Sequence, residues 1–448
     1  MPPARTGVAA YSADVIRGLR GEHEIDVYVD ESLAALAREV ASVGLSGAIQ
    51  QRSAHDFLWR HRLRPYDLAV YQLGNSSAHD YLWPYLFRFP GLTVLHDARL
   101  HHARAAALLR ERRAGDYRRE FAAACPGRSV DLAELAIGGF DNAVYYDLPM
   151  TRLVTRASKV TAVHARLAAE ALREESPSTT IDTIRIGHGE AVSAERRALA
   201  SSMVRARYGI PAEAVLFGVF GGVTPEKRVP QVLEALTALL PYEPSARLLL
   251  AGAPAEHYDV AADVARLRLE EHVHITGYVE DDAAFTDLVA ACDVSVNLRW
   301  PTAREVSGPW LRALAAARPT ITVDLAHLAD VPSLDPRTWT VSHAEPSLTP
   351  PEPVTVAIDI LDEAHSLRLA MRRLAGDAAL RDRLSRAAFA FWQAHHTIEG
   401  MLEDYRRVIA RAIDAPTPAA SLPAHLRSDG TERLSALLQP FGIGSPLE

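Results

Sequence analysis

Two stretches of the chain carry residue types and spacings suited to holding a phosphate. The first is Leu216-Phe217-Gly218-Val219-Phe220-Gly221-Gly222, followed by Val223-Thr224-Pro225-Glu226-Lys227-Arg228. An apolar strand ends in a glycine pair, and the pattern predicts a helix from near Val229. Gly221 and Gly222 let a ligand approach the backbone, and Lys227 and Arg228 add cationic donors. The functional reading is a diphosphate site. A solvated Lys-Arg pair at a helix start stands equally beside it. The second stretch runs from Leu298 to Leu314. A strand ends at Leu298, a polar loop follows, and Ser307-Gly308-Pro309 has the order of an N-cap with proline in the first turn. Backbone N–H groups there can take a phosphate or a sugar hydroxyl. Glu305 suits sugar hydroxyls, and Arg304 or Arg312 suits phosphate. A capped surface helix is the plain alternative.

Other chemistry is poorly supported. The two cysteines, Cys125 and Cys292, are too few for a disulfide framework or a zinc cluster. No His/Asp spacing argues for a protein-held metal. The formal charge is −8, which argues against a general nucleic-acid binder. No apolar run reaches the length of a membrane-spanning helix, and the start has no signal-peptide core. The expected location is cytoplasmic, with peripheral contact at the inner face of the membrane left open.

The elements that must position these loops alternate along the chain. Apolar runs lie at 24–30, 66–73, 92–97, 159–164 and 180–186. A second set lies at 215–221, 247–252, 273–278, 292–298, 319–324 and 339–343. Ala-, Leu- and Arg-rich stretches with helical spacing separate them. This alternation predicts parallel sheets covered on both faces, in two doubly wound domains. At 448 residues, two domains of about 200 residues suit the length. The expected limits are 1–190, 191–375, a helical segment 376–415 packing back toward the first domain, and a loosely ordered tail 416–448. From Val354 to Ile413 the pattern reads as helical only, and residues 97–159 read as a long helical insertion.

The beginning is unusual. Residues 2–8 read as a loop feeding a helix, yet no residues precede them to form the strand such a loop follows. Losing a central first strand would expose two unpaired ladders. The expectation is a true start upstream; a domain that begins at the helix is the alternative.

Taken together, these motifs resemble a retaining glycosyltransferase of family 4 with the two-domain GT-B fold. The residues that carry the resemblance are FGGVTPEKR, GYVEDDAAFTDLVAACDVSVNL and the block PTAREVSG to LRALAAARPTITVD. In the first half they are PPARTGVAAYSADVIRGL, YQLGNSSAHDYLW, LTVLHDARLHH and VTAVHARLA. The resemblance runs from about Pro2 to Ile413. It implies that Lys227 contacts the diphosphate of a nucleotide sugar. The arginine expected five residues earlier falls on Gly222, so that contact is missing or supplied by Arg228. Two glutamates eight residues apart are expected on the donor loop and helix, and alignment on Pro319 puts Arg304 and Arg312 there. With a one-residue deletion Glu305 serves as the first; Val306, Ser307 and Gly308 complete the donor loop. His96-Asp97 resembles the active-site histidine at a strand end, and Gly7 the glycine of the first loop. Gln72, Asn75 and His79 are acceptor-side contacts or loop-capping groups. Structural roles are favoured for His164 and His188. The implied reaction moves a sugar to an acceptor hydroxyl with retention of configuration, without metal or cofactor. The acceptor is a saccharide, glycolipid or natural product. The alternatives are a non-catalytic sugar-nucleotide binder acting as a scaffold, and another GT-B enzyme such as an epimerase.

Overall fold

The computed structural model describes residues 6–30, 51–140, 142–301, 306–324, 330–342, 351–427 and 436–442. Arg304 and Glu305 lie outside the described residues. The chain divides into two compact units, Met1–Ile184 with Leu402–Glu448, and Arg185–Thr302 with Val306–Met401.

The first unit opens on the helix Gly7–Leu19, capped by the Thr6 side chain accepting from Ala9 N. Its strands are β1 (Val27–Val29), β2 (Gln51–Ser53), β3 (Val70–Leu73), β4 (Leu92–Leu95), β5 (Val160–Val163) and β6 (Ile181–Thr183). β1 and β2 form a parallel pair, and β3-β4-β5-β6 form a second parallel sheet in sequence order. β4 and β5 are buried along their whole length, as their continuous apolar sequences require in a sheet covered on both faces. Between them the expected helical insertion forms five helices, from His101–Arg110 to Arg152–Ala157. Leu73, Leu95 and Val163 pack there with Leu108 and Phe121.

The second unit carries β7 (Leu216–Phe220), β8 (Arg247–Ala251), β9 (Val273–Ile275), β10 (Val294–Asn297), β11 (Thr320–Val323), β12 (Ser333–Leu334), β13 (Val341–Ser342) and β14 (Thr355–Ile358). They form one sheet in the order β13-β12-β14-β11-β10-β7-β8-β9, parallel except for the β12–β13 pair. Alternate residues serve opposite faces. Phe217, Val219, Leu248 and Leu250 join a core with the helices Val229–Leu239 and Glu363–Gly376. Leu216, Phe220, Leu249 and Ala251 pack on the other side with Ala200, Val204 and Val289. Both units are α/β, with parallel or mostly parallel sheets and helices between the strands.

Three expectations are corrected. The stretch from Val354 is not helical only: β14 is a buried strand between β11 and β12. A short apolar run such as TVAI has no periodicity that separates strand from helix. β2 and β12 are further strands the pattern did not show: β2 is the polar triplet Gln51–Ser53 and β12 only Ser333–Leu334, so neither carries an apolar run. The tail is not loose throughout. Leu422, just ahead of the short helix Ala424–Arg427, and Leu426 within it pack into the first unit's core.

Candidate functional site

In the second unit the carboxyl end of β7 meets two loops. Gly221 adopts φ +82°, a left-handed conformation that favours glycine, and a Cβ there would lie 2.6 Å from Lys227 Nζ and 3.5 Å from Pro309 Cγ. The strand end, Lys227 and the start of the helix Gly308–Ala315 thus share one small space. The backbones pack closely behind it, since a Cβ on Gly252 would lie 2.1 Å from the Gly221 carbonyl. Gly222 is exposed and open, with nothing nearer than 3.8 Å to a would-be Cβ.

Local sequence explains the loop. Thr224 caps the short turn Pro225–Lys227 by accepting from Lys227 N. Lys227 Nζ folds back and donates to the Phe220 carbonyl. Burial, with Arg299 nearby, pushes the ammonium down to about 8. Arg228 takes φ +60°, and its guanidinium pairs with Glu363 at 2.7 and 2.5 Å.

Ser307 caps the helix Gly308–Ala315 as the sequence predicts, its hydroxyl accepting from Trp310 N at 3.4 Å. Leu311 N donates to the Ser307 carbonyl and Pro309 has no N–H. The amides of Ser307 and Gly308 are therefore the donors this turn offers to a ligand. Val306, beside them, is half-buried.

The Arg312 guanidinium is already engaged. It donates to Asp282 at 2.5 Å, Thr286 at 3.3 Å and His188 Nε2 at 3.1 Å, and lies over the Phe285 ring. His188 therefore carries its proton on Nδ1. Burial, then Arg312, holds it down at about 4. Asp282, Thr286 and Glu363 are partners that sequence reasoning missed. They are separated from Arg312 and Arg228 by 30, 26 and 135 positions.

In the first unit Gly7 is exposed at the start of its helix. Asn75 and His79 shape the loop after β3. Asn75 N donates to Asp97 Oδ2 at 2.6 Å, and its side chain accepts from Ala103 N at 2.9 Å. His79 Nδ1 faces Gly74 N and O at 3.2 and 3.1 Å.

Gln72 and His96 belong to a network that the sequence did not reveal. His164 Nδ1 lies 2.9 Å from the Ile184 carbonyl, so it carries the proton and donates. His164 Nε2 is then an acceptor, 3.3 Å from His96 Nδ1. Gln72 Oε1 lies 2.9 Å from His96 Nε2, and Gln72 Nε2 3.0 Å from the Tyr405 hydroxyl. That orientation suits a doubly protonated His96. A neutral His96 calls for the amide turned about, with its NH2 on His96 and its oxygen on Tyr405. Burial, then His164 and His79, holds His96 well below the ordinary histidine range. The neutral ring and the turned amide follow. Tyr11 completes the network, donating to Tyr405 at 3.0 Å.

These histidines are expected to destabilise the unit in acid. Burial depresses His164 to about 4, whereas an unfolded histidine titrates near 6.5. The unfolded chain binds the proton first, so this contribution is complete above pH 6.5 and is lost as pH falls toward 4. The slope is about 1.4 kcal/mol per pH unit, or roughly 2 kcal/mol between pH 7 and 5. Urea unfolding at both pH values should show this loss. In His164→Gln the slope should diminish by that amount, and an unchanged slope would reject the assignment.

Among the described residues no group of three or more His, Cys, Asp or Glu side chains is placed to hold a metal. No described helix is long and apolar enough to cross a membrane.

Residues 214–345 match the sequence family Glycosyl transferases group 1. A comparison with curated proteins finds no match. Among solved structures, the chain is similar to HepE from Anabaena in complex with UDP and glucose. The TM-score is 0.54 at 13% identity, covering 90% of this chain and 96% of that one. It is similar to a glycosyltransferase from Rickettsia africae, with TM-score 0.58, 12% identity and coverage of 92% and 97%. It is also similar to WaaG, a glycosyltransferase involved in lipopolysaccharide biosynthesis, with TM-score 0.56, 14% identity and coverage of 90% and 96%. These structures show that the chain has the GT-B fold, and within it residues 214–345 carry the group 1 glycosyl transferase match.

Proposed function

We propose that the protein transfers a sugar from a nucleotide diphosphate sugar to an acceptor hydroxyl with retention of configuration, as the resemblance to family 4 implies. The observation that carries the donor side is the convergence of Gly221, Lys227 and the start of the helix Gly308–Ala315, inside the matched region. The transition state resembles an oxocarbenium ion leaving a diphosphate, and stabilising the growing negative charge is the main task. Lys227 Nζ leaves the Phe220 carbonyl for the diphosphate, and the Ser307 and Gly308 amides add neutral donors. Glu305 takes donor-sugar hydroxyls. Gln72 and His96, with Asp97 holding the adjoining loop, form the acceptor side. The leaving diphosphate itself takes the acceptor proton.

Arg228 and Arg312 are held by Glu363 and Asp282, so they shape the loops that carry Lys227 and Ser307. Titration calorimetry with UDP, GDP and ADP, then hydrolysis assays with the matching glucose conjugates, tests the reading. One diphosphate should bind, and its sugar conjugate should be slowly hydrolysed. Binding without any turnover would favour the non-catalytic scaffold. Absence of binding across the panel would overturn the donor site.

A further inference from the structure

The strands of the first unit set a row of polar groups along one edge of their sheet. β4, β5 and β6 run parallel, with Leu95 aligned on Val163 and Val163 on Thr183. The residues that follow are His96, His164 and Ile184, so these three stand side by side at the carboxyl ends. Gln72 in β3 is aligned on Val94. Side chains two apart share a sheet face, so Gln72 reaches His96. Tyr11 and Tyr405 come from the helices Gly7–Leu19 and Ile398–Asp414.

A hydrogen-bond chain runs along this row, and one end fixes its direction. The Ile184 carbonyl can only accept, so His164 donates to it from Nδ1 and accepts at Nε2. His96 must then donate from Nδ1, 3.3 Å away. The partners of the two rings are a carbonyl, an amide and each other, none of them charged. That setting suits neutral imidazoles. His96 Nε2 is then an acceptor, and the turned Gln72 amide gives it an N–H at 2.9 Å. The Gln72 oxygen accepts from the Tyr405 hydroxyl, which accepts from Tyr11. The Tyr11 ring stands edge-on to both histidines, at 4.8 and 5.3 Å between centroids. Both nitrogens of His96 are then taken.

We infer that His164 and Tyr405 are positioning residues for the acceptor side: His164 fixes the proton of His96 on Nδ1, and Tyr405 fixes the Gln72 amide with its NH2 toward that ring. The hydrogen bond made by one ring nitrogen decides the state of the other. Without an acceptor at position 164 the chain can run the opposite way. His96 then donates from Nε2 to the Gln72 oxygen, and the Gln72 NH2 donates to Tyr405. The consequence for transfer rests on the acceptor-side reading of Gln72 and His96. With both nitrogens committed, His96 neither gives nor takes the acceptor proton. It braces the Gln72 amide, a group locked by its supporting shell.

Long-range nitrogen–proton NMR correlations on the full chain, labelled at histidine, read the tautomer at neutral pH without substrate. His96→Gln assigns the signals. Wild type and His164→Gln should both carry the His96 proton on Nδ1, because a glutamine oxygen can accept where the imidazole did. His164→Leu should move that proton to Nε2; His164→Phe carries the same readout should the leucine variant not fold. A wild-type ring protonated on Nε2 or on both nitrogens, or a tautomer unchanged in both apolar variants, would overturn the role of His164. In Tyr405→Phe the Gln72 side-chain NH2, assigned with Gln72→Leu, should exchange with solvent about tenfold faster. An unchanged rate would overturn the role of Tyr405. With donor and acceptor present, Tyr405→Phe should lower kcat/KM for the acceptor about tenfold and leave affinity for the free nucleotide diphosphate unchanged. Equal efficiency would overturn the consequence for transfer. Failure of transfer in the wild type would overturn the transferase reading alone, since the spectra decide the chain without substrate.

Discussion

Lys227→Ala should lower turnover by about two to three orders of magnitude while the fold persists. The removed group is the cation at the end of β7, and one charge-assisted contact to a leaving diphosphate is worth roughly 2–4 kcal/mol in the transition state. Two further readouts separate this role from a structural one. The partly buried ammonium sits at about 8, below the ordinary lysine value of 10.5. Between those values the unfolded chain holds more protons than the folded one, so stability rises with pH across that window. Charge at position 227 is therefore unfavourable for folding at neutral pH. Lys227→Met should keep or raise Tm while losing the same activity, a separation expected of a functional group held at some cost in stability. The cation is also needed to meet the diphosphate, so nucleotide affinity should fall as pH rises through about 8. Lys227→Arg should flatten that fall. Near wild-type turnover in Lys227→Ala would remove the residue from the site.

The legible parts of the fold were those whose signal is local. β4, β5, β7 and β8 were readable because continuous apolar runs between helical stretches have few other solutions. The Ser307 cap was readable because capping is set within three residues. β14 was hidden, since its four residues are bounded by neither a turn signal nor a distinctive period. The candidate site divided in the same way. Gly221 and Lys227 announce a tight turn beside a cation, and the structure brings them together with Pro309. What the sequence concealed was which charges are already committed. Arg228 and Glu363 are 135 positions apart, and Gln72 and Tyr405 are 333 apart. Such pairs are made by tertiary packing, and nothing in their own neighbourhoods marks them. The resemblance supplied the expectation that Arg312 stands near the donor. The structure adds that its guanidinium is already bonded to Asp282, Thr286 and His188.

The largest stability effect is expected at a buried ion pair in the first unit. Arg104 Nε and Nη2 donate to Glu120 at 2.7 and 2.5 Å, and the two side chains are 7% and 0% exposed. Burial works to raise Glu120, yet the bonds from Arg104 and His425 hold it below the usual carboxylate range. His425, from the docked tail, reaches the same carboxylate at 2.8 Å, and Arg104 stacks on Trp83 at 4.5 Å. Removing one partner of a buried pair strands the other charge. Glu120→Leu should therefore cost about 3–5 kcal/mol in urea unfolding, chiefly through an uncompensated Arg104. The double change Arg104→Met with Glu120→Leu replaces both charges by apolar groups of similar size. It should recover most of that loss, short of the stacking on Trp83, so the two sites should be strongly non-additive. The acid side has a definite sign. Glu120 titrates below its unfolded value, so its contribution is complete above that value and disappears as pH falls through the folded one. A single Glu120→Leu change that costs less than about 1 kcal/mol, or a double change no better than the single, would show that the pair is not what holds these helices and the tail together.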